Sequence, residues 1–454
     1  MSIQSVNPAT GELLESFTPA SPGELDRLVG KAHAAFVRWR TVPFAERAAR
    51  MREAARLLRN GMAQHALDMT LEMGKPIVQA EAEIEKCALC CDYYADHAET
   101  FLAPEPRATD ASKSYVRFDP LGVVLAVMPW NFPYWQVFRF AAPALMAGNA
   151  AILKHASNVP RCALAIERVF ARAGFPEGLF ATALIESGSV ARLIWDPRIA
   201  AVTLTGSEPA GIAVAGQAGR DLKKTVLELG GSDPFVILAD ADLGAAAKAA
   251  ADARLVNSGQ SCIAAKRFIA VDAVADRFLD LFVDELRSRR MGDPLARETQ
   301  VGPQARFDLR DLLHRQVEES VKAGAKCLLG GEIPRGKGAF YPPTVLAEVD
   351  KGMPAFDEET FGPVAAFVRA EDENDAIRLA NDSAFGLGAS LWTRDRERAE
   401  HLAEQIEAGA VFVNGIVKSD PRMPFGGIKR SGYGRELSEY GIREFVNIKS
   451  VWIA

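Results

Sequence analysis

The sequence has few cysteines, no long uninterrupted apolar run and no excess of basic residues. Six cysteines in 454 residues are too few for a disulfide scaffold. Lysine and arginine number 53 against 59 acidic residues, so the net charge of -6 provides no broad basic surface for nucleic acid. The longest apolar stretch, residues 121–153, is interrupted by Pro129, Pro133, Arg139 and Pro143, which argues against a membrane span.

Signals for export and for metal binding are also missing. The opening letters, MSIQSVNPATGELLES, lack the charged start, apolar run and cleavage site of a signal peptide, so we expect a cytoplasmic protein. Cys87, Cys90 and Cys91 include a CxxC spacing, but no second pair of the zinc-ribbon type follows them. Because the cluster continues a helical pattern, we expect core packing and no metal cofactor; a metal or redox role is the weaker alternative.

Hydrophobic patterning predicts an α/β protein. A capping box at Ser21 and Glu24 starts a helix, and amphipathic segments make the first quarter of the chain mainly helical. From residue 123, short apolar runs alternate with helical segments, which is typical of parallel sheets covered by helices on both faces. We expect two such domains with a cleft between them. The predicted strands lie at 123–127, 151–153, 200–204 and 225–229 in the first series, and at 235–238, 268–271, 364–368 and 410–413 in the second.

Four features of the sequence are candidates for catalysis or ligand binding. Cys262 lies among small and polar residues in the segment NSGQSCIAA, at 257–265, which suits a loop better than a packed core. Lys154 and Glu228 end apolar strands, where parallel sheets bind their ligands. The segment TGSEPAG, at 205–211, joins a strand to a helix and suits phosphate binding. Each feature has an ordinary alternative: a buried thiol, a solvated lysine, a carboxylate facing water and a plain strand–helix turn.

In combination, these features resemble the aldehyde dehydrogenase superfamily over essentially the whole chain. The matching segments are PWNFP at 129–133, Lys154, GS at 206–207, ELGG at 228–231, GQSC at 259–262, ETFGP at 359–363 and PFGG at 424–427. Within the superfamily, the chain is most similar to the short succinate-semialdehyde dehydrogenases of bacteria. The resemblance implies an α/β fold with two doubly wound, Rossmann-like parallel-sheet domains and a small oligomerisation element.

The resemblance also implies how the chain is divided. The cofactor-binding domain would comprise residues 1–99 and 121–230, and the catalytic domain residues 231–438. Residues 100–120 and 439–454 would form the oligomerisation element, in which a protruding β-hairpin joins a C-terminal strand at 446–453. Because the edge of that strand would otherwise lie open to pairing, we expect a homodimer or homotetramer.

The mechanism implied by the resemblance uses three catalytic residues. Cys262 attacks the aldehyde carbon as a thiolate, while the Asn131 side chain and the Cys262 backbone N–H receive the developing oxyanion. After hydride transfer to the nicotinamide, Glu228 activates the water that hydrolyses the thioester. Coenzyme A is a less favoured acceptor than water, because Glu228 is present.

The cofactor expected from the resemblance is NADP, with NAD as a possible substitute. Many NAD-preferring relatives have a glutamate three residues after the lysine, where it repels a 2'-phosphate; this chain has Ser157 there. Lys154 is then free to pair with the phosphate. The cofactor-binding residues implied by the resemblance are Trp130, Lys154, Ser157, Gly206, Ser207, Glu359 and Phe361.

The expected substrate is a small aldehyde with a distal carboxylate, succinate semialdehyde above all. Arg139 matches an arginine that binds this carboxylate in related enzymes, although an intramolecular salt bridge is the open alternative. Trp135, Ser261 and Ser419 match further substrate contacts. Some relatives have a second arginine six residues before the cysteine, where this chain has Val256.

Two further alternatives remain at the level of sequence. The same chemistry could act on glutarate semialdehyde or another small aldehyde, since the sequence does not give the distance to the carboxylate site. A thiol esterase or a structural relative without redox turnover belongs to a different class, which the intact Asn131, Glu228, Cys262 and Glu359 argue against. Position 264 is alanine, so no second cysteine follows the nucleophile to form a local disulfide.

Overall fold

The computed structural model describes residues 2–454, which form an α/β protein with two large, mainly parallel sheets. The strands are β1 (Ile3–Val6), β2 (Leu13–Phe17), β3 (Glu105–Pro106), β4 (Lys113–Pro120), β5 (Val123–Met128), β6 (Ala150–His155), β7 (Phe180–Thr182), β8 (Ile199–Thr205), β9 (Lys224–Glu228), β10 (Pro234–Ile237), β11 (Arg267–Val271), β12 (Lys326–Leu329), β13 (Thr344–Ala347), β14 (Val364–Ala370), β15 (Phe385–Gly386), β16 (Gly388–Trp392), β17 (Ala410–Val413), β18 (Ile428–Lys429), β19 (Gly432–Tyr433) and β20 (Val446–Ile453).

The helices lie mainly between these strands. They are α1 (Pro22–Trp39), α2 (Phe44–Asn60), α3 (Met62–Met73), α4 (Ile77–Phe101), α5 (Trp135–Met146), α6 (Pro160–Arg172), α7 (Val190–Ile194), α8 (Glu208–Arg220), α9 (Leu243–Leu255), α10 (Asp272–Arg287), α11 (Phe307–Lys322), α12 (Pro354–Asp357), α13 (Glu373–Asn381), α14 (Arg396–Gln405) and α15 (Ser438–Arg443). The predicted capping box at Ser21 and Glu24 starts α1. No helix among residues 2–454 is long and apolar enough to cross a bilayer.

The first large sheet has the strand order β19-β9-β8-β5-β6-β7. All pairs are parallel except β19 with β9, so the strands β5, β6, β8 and β9 end at one edge. Each of these four contains one of the strands predicted in the first series or overlaps with it. Because helices cover both faces, the side chains of β5 and β6 are almost all buried, as expected for a doubly wound sheet.

The second large sheet has the order β12-β13-β14-β11-β10-β16-β17 and is parallel except for β12. Its two faces enter separate cores: Val236 and Ile269 pack on one side, Phe235 and Phe268 on the other. The four strands predicted in the second series are confirmed. The strands β12, β13 and β16 were not predicted, and of these three β16 lies between two predicted strands. Its sequence GASLW is rich in small residues, whose strand formation depends on burial between β10 and β17.

A third, smaller sheet joins the chain's last strand to an internal hairpin. β3 and β4 pair antiparallel, and β20 lies antiparallel along β4 from Val446 opposite Pro120 to Ile453 opposite Lys113. The hairpin and the C-terminal strand expected near 100–120 and 446–453 are thus both present. β20 is an edge strand of this sheet and carries the exposed apolar side chains Ile448, Trp452 and Ile453.

The helix α4 connects the helical first quarter to the first sheet. Its cysteines Cys87, Cys90 and Cys91 are fully buried in the core around that sheet, which is the packing role expected for them. Glu83, one turn earlier, is also buried and forms an ion pair with the buried Lys75. A carboxylate and an ammonium both removed from water are costly unless each is well partnered.

Glu83 also holds the start of α5. Its Oε1 accepts hydrogen bonds from the backbone N–H groups of Tyr134 and Trp135, both at 2.9 Å. Those N–H groups lie at a helix N-terminus, where no side chain of the N-cap residue satisfies them. Both oxygens of Glu83 are therefore occupied, one by Lys75 and one by the beginning of α5.

We predict that Glu83→Ala strongly destabilises the protein. The substitution leaves the Lys75 charge buried without a partner and removes the acceptor at α5, so the expected loss is about 3–5 kcal/mol. Glu85→Ala is the matched control on the same helix, because Glu85 forms a partly exposed pair with Arg59 at 3.0 Å and should cost about 1 kcal/mol or less. Denaturant unfolding of both variants measures the difference; equal losses would contradict the role given to Glu83.

Candidate active site

Loops from both large sheets converge around Asn131 and Cys262. Asn131 follows β5 and precedes α5, and Cys262 lies between α9 and β11. The Asn131 Nδ2 donates to the backbone carbonyl of Gln260 at 3.1 Å, while the Asn257 Nδ2 donates to the Asn131 carbonyl at 2.7 Å. The side-chain amide of Asn131 is thus held at Gln260, two residues before the cysteine. The second N–H bond of this amide is not used in that contact.

The loop before the cysteine has an unusual backbone. Asn257, Ser258 and Gly259 all have positive φ, at 52°, 57° and 79°. A Cβ at Gly259 would lie 2.3 Å from the carbonyl carbon of Gly362, so only glycine fits. Arg254 donates from Nη2 to the Gly259 carbonyl at 2.7 Å. The strained turn is therefore held in a single conformation by buried hydrogen bonds.

Cys262 is the partly exposed member of the thiols near this cleft. Cys87, Cys90, Cys91 and Cys162 are buried, whereas Cys262 retains access to solvent. Burial raises the pKa of its thiol to about 12, against the opposing effects of Arg139 and Lys266. At neutral pH the unliganded thiol is therefore protonated, and its reaction requires transfer of that proton.

Glu228 ends β9 and is 2% exposed. Burial raises the pKa of its carboxyl group well above the usual range; nearby Arg139 opposes that rise and Glu436 adds to it. Among residues 2–454 its Oε1 has no hydrogen-bond partner. It would lie 2.7 Å from a Cβ at Gly426, so only glycine at 426 leaves room for it. A buried, unpaired carboxyl group beside a loop is a candidate general base.

Arg139, predicted to bind a substrate carboxylate, is buried and paired within the chain. Its Nε forms an ion pair with Glu436, its Nη2 donates to Thr205 Oγ1 at 3.4 Å, and its guanidinium lies 4.6 Å from the centre of the Phe425 ring. Arg139 and Glu436 are 2% and 3% exposed. The intramolecular salt bridge, the alternative left open by the sequence, is present in the unliganded chain. The role of Arg139 toward a substrate carboxylate stays a prediction.

Lys154 is a buried cation whose environment would suit an anionic ligand. It ends β6 and is 8% exposed, and its ammonium forms no ion pair or hydrogen bond with the described residues, 2–454. Burial lowers its pKa. Ser157, three residues later, is exposed and brings no negative charge. These residues fit a phosphorylated ribose, because a phosphate would supply the missing counter-charge.

The start of α8 fits a second phosphate group. Ser207 is its N-cap, yet the Ser207 side chain makes no capping hydrogen bond, so the first N–H groups of the helix remain available. Gly206 and Ser207 lie at the edge where β8 ends. A Cβ at Gly211 would lie 2.6 Å from the Leu229 side chain, so glycine there lets α8 approach the sheet closely.

The remaining cofactor residues predicted from the sequence are Trp130, Glu359 and Phe361. Trp130 and Phe361 meet edge to face with 5.7 Å between ring centroids. Glu359 Oε1 accepts the Gly231 backbone N–H at 3.0 Å and lies 3.4 Å from Lys266 Nζ. Glu359 is thus anchored beside the loop that follows Glu228.

Of the predicted substrate residues, Trp135 and Ser419 are in contact. The Trp135 Nε1 donates to Ser419 Oγ at 3.0 Å. Ser261 is buried next to the cysteine. Its hydroxyl makes no hydrogen bond with the described residues, 2–454. The same Ser419 oxygen also accepts from Lys86 Nζ at 2.8 Å.

Several residues of this site were missed in the sequence. Lys86 belongs to α4, and its helical position beside Glu83 and the buried cysteines was the available signal: a charged residue on an apolar face. Lys266 donates to the backbone carbonyls of Ser261 and Cys262 at 2.9 and 2.6 Å. Glu436 gave no signal, because its partner Arg139 lies far away in the sequence.

Comparisons with known proteins agree with this geometry. Residues 1–451 match the model of the aldehyde dehydrogenase family. The chain is 54% identical over 454 residues to a probable succinate-semialdehyde dehydrogenase [NADP(+)] of Synechocystis, covering 100% of both chains. It is 52% identical over 457 residues, again 100% of both, to succinate-semialdehyde dehydrogenase [NADP(+)] 1 of Mycobacterium tuberculosis.

A solved structure is similar as well. A succinic semialdehyde dehydrogenase from Streptococcus pyogenes, in complex with NADP+ as the cofactor, matches with a TM-score of 0.97 and 40% identity over 99% of each chain. The resemblance stated from the sequence motifs is thereby confirmed, together with the fold it implied. The chain belongs to the aldehyde dehydrogenase family.

Proposed function

We propose that the protein oxidises succinate semialdehyde to succinate with NADP+ as the preferred cofactor. The observation that carries this proposal is the convergence of Cys262, Asn131 and the unpaired carboxyl group of Glu228 on neighbouring loops of the two sheets. The names of the full-length relatives in Synechocystis and Mycobacterium support the substrate and the cofactor.

In the first step, the sulfur of Cys262 bonds to the aldehyde carbon while the thiol proton passes to a water molecule. The carbonyl oxygen becomes an oxyanion, for which the free N–H of the Asn131 amide and the Cys262 backbone N–H are the donors. One such donor is worth about 3 kcal/mol of transition-state stabilisation. The hydrogen bond from Asn131 to Gln260 orients the amide before the substrate arrives.

The second half of the reaction uses Glu228. When bound, NADP+ would accept the hydride from the adduct on Cys262, and Cys262 would then hold the acyl group as a thioester. Glu228 takes a proton from water while the water oxygen bonds to the acyl carbon. The carbon–sulfur bond then breaks to release the carboxylic acid, and the proton held by Glu228 passes to the sulfur to restore the thiol. Because the Glu228 carboxyl group is buried with an elevated pKa, it is a stronger base than an exposed glutamate.

Residues on both sides of the cleft would hold the cofactor. Lys154 and Ser157 would meet the adenosine ribose and its 2'-phosphate, and Gly206 and Ser207 the pyrophosphate at the start of α8. Trp130, Glu359 and Phe361 would hold the nicotinamide ribose and ring. The unpaired, buried Lys154 supports this assignment most directly.

The division of the chain belongs to the same proposal. We assign residues 1–99 and 121–230 to cofactor binding, 231–438 to catalysis, and 100–120 with 439–454 to oligomerisation in a homodimer or homotetramer in the cytoplasm. The boundaries follow the two large sheets except at β19, which lies within 231–438 but pairs with β9 of the first sheet. The exposed apolar side chains on the edge strand β20 support pairing with a second copy.

Steady-state kinetics test the proposed reaction. Formation of reduced nicotinamide is measured with succinate semialdehyde, glutarate semialdehyde and butanal, each with NADP+ and with NAD+. We expect the highest kcat/KM for succinate semialdehyde with NADP+, and no turnover in Cys262→Ser, which lacks the thiol. Equal kcat/KM for butanal, or formation of acyl-CoA in place of the free acid, would refute the proposal.

Cofactor preference is tested at Ser157. In Ser157→Glu, a carboxylate beside Lys154 repels the 2'-phosphate, so kcat/KM for NADP+ should fall by about tenfold or more relative to that for NAD+. Ser157→Gln is the control of the same size without charge, and it should change the ratio far less. A wild-type preference for NAD+, or an equal effect of both variants, would contradict the role of Ser157.

The role of Glu228 is tested by Glu228→Gln. Without the general base, thioester hydrolysis should stall after the redox step, so rapid mixing should reveal a burst of about one reduced cofactor per active site, followed by slow turnover. Cys262→Ser is the control and should give no burst. A Glu228→Gln variant with no burst but a normal fold would place Glu228 before the redox step and overturn this assignment.

A further inference from the structure

A cavity outside the cleft lies between the helices α2, α3 and α6. Its volume is about 360 Å³, which is within the range of small-molecule sites. It combines three arginine side chains with amide groups, a histidine and an apolar wall. Its lining includes Arg56, Asn60, Gly61, His65, Arg168 and Arg172. We call it the arginine cavity.

The arginine cavity lies apart from the cofactor residues. The helix α6 connects β6 to β7, and these two strands are parallel, so α6 runs back against the strand direction. Lys154 lies at the end of β6, near the beginning of α6, whereas Arg168 and Arg172 belong to the second half of the helix. The two arginines therefore lie toward the opposite end of the sheet.

Arg168 and Arg172 have no partner of opposite charge. Neither forms an ion pair or a hydrogen bond with the described residues, 2–454. They are four residues apart on α6, so they share one face of the helix, where two like charges repel each other. The helix dipole favours Arg172 in the last turn, but it does not account for Arg168 one turn earlier. An anion between them would remove the repulsion.

The other charged groups at the arginine cavity are already paired. Arg56 donates from Nε and Nη2 to Glu53, at 2.7 and 2.6 Å, and Asp68 forms an ion pair with Arg161. The hydrogen bond from Arg56 is the main cause that lowers the pKa of Glu53, and the charge of Arg172 adds to it. The helices α2 and α6 therefore bring their arginines to the same place, and the two on α6 are the surplus positive charges.

His65 adds a neutral donor to the arginine cavity. Its Nδ1 lies 2.9 Å from the hydroxyl of Tyr134, which is fully buried and has no other hydrogen-bond partner among residues 2–454. Because a buried hydroxyl needs an acceptor, we assign Tyr134 as the donor to Nδ1, which leaves the ring proton on Nε2. A Cβ at Gly61 would lie 2.7 Å from Nε2, so the glycine leaves space beside this nitrogen.

The charge state of His65 shows that the arginines of α6 are close to it. Burial, together with the charges of Arg168 and Arg172, lowers the pKa of His65 to about 4. Such charge effects weaken with distance, so both guanidinium groups lie near the ring. At neutral pH the imidazole is therefore uncharged, and its N–H and the two guanidinium groups are donors to a common space.

We propose that the arginine cavity binds a small phosphate monoester. A phosphate group carries about -1.5 to -2 charges at pH 7 and has three acceptor oxygens, which match the two unpaired arginines and the N–H of His65. The organic part of the ester would lie against Leu57 and Val169, with the Asn60 amide available to its hydroxyl groups. The proposal is independent of the substrate and the cofactor of the reaction.

Calorimetric titration with glycerol 3-phosphate tests the site, in saturating NADP+ so that the cofactor site is filled. Loss of one guanidinium in Arg168→Met should raise Kd about 10- to 150-fold, and Arg172→Met should do the same. Arg168→Lys keeps the charge without the paired donors, so its effect should be smaller. Arg315→Met, which removes an exposed arginine of α11, is the control and should keep the wild-type Kd.

Three other ligands define the chemistry of the site. Glycerol should not bind, and inorganic phosphate should bind more weakly than glycerol 3-phosphate, because it leaves the apolar wall uncovered. If succinate or inorganic phosphate bound at least as tightly as glycerol 3-phosphate, the ligand class would be wrong.

Thermal unfolding shows that each variant is folded before its Kd is compared. Equal Kd values in folded Arg168→Met and Arg315→Met would overturn the proposed site. So would the failure of wild-type protein to bind glycerol 3-phosphate at millimolar concentration.

Discussion

The carboxylate of Glu83 is the interaction on which the geometry of the site depends. It accepts the first N–H groups of α5 and pairs with Lys75, whose ammonium also lies 3.8 Å from the centre of the Phe132 ring. The segment between β5 and α5 carries Asn131, so the position of α5 sets the direction of the Asn131 amide. The buried carboxylate of Glu83 thus connects the packing of the helical first quarter to the position of Asn131 beside Cys262.

Burial has a common effect on the charged groups around the cleft. It raises the pKa values of Cys262 and Glu228 and lowers that of Lys154, so in each case the neutral form is favoured. Ligands of opposite charge reverse this effect, because they replace the lost hydration. In the unliganded site, the charged forms of these groups are therefore disfavoured. A bound ligand of opposite charge stabilises them, so ligand binding and the reactivity of the site are coupled.

The sequence predicted much of this arrangement, because local patterns determine much of it. The strands of the first sheet are continuous apolar runs, and Lys154 and Glu228 end them, so their places at one sheet edge could be foreseen. The strand β16 was missed because its small residues have no strand pattern of their own. The pairing of Arg139 with Glu436 was likewise out of reach, since it joins distant segments and only the folded chain brings them together.

The ion pair of Arg139 with Glu436 also connects the predicted substrate site to the general base. Arg139 and Glu436 both act on the charge state of Glu228. If Arg139 bound the substrate carboxylate, each binding event would draw it away from Glu436 and alter the basicity of Glu228 during the reaction. Substrate binding and the basicity of Glu228 would then be coupled through one arginine, because a substrate carboxylate and Glu436 would share it. General-base catalysis would in that case respond directly to the charge of the bound substrate.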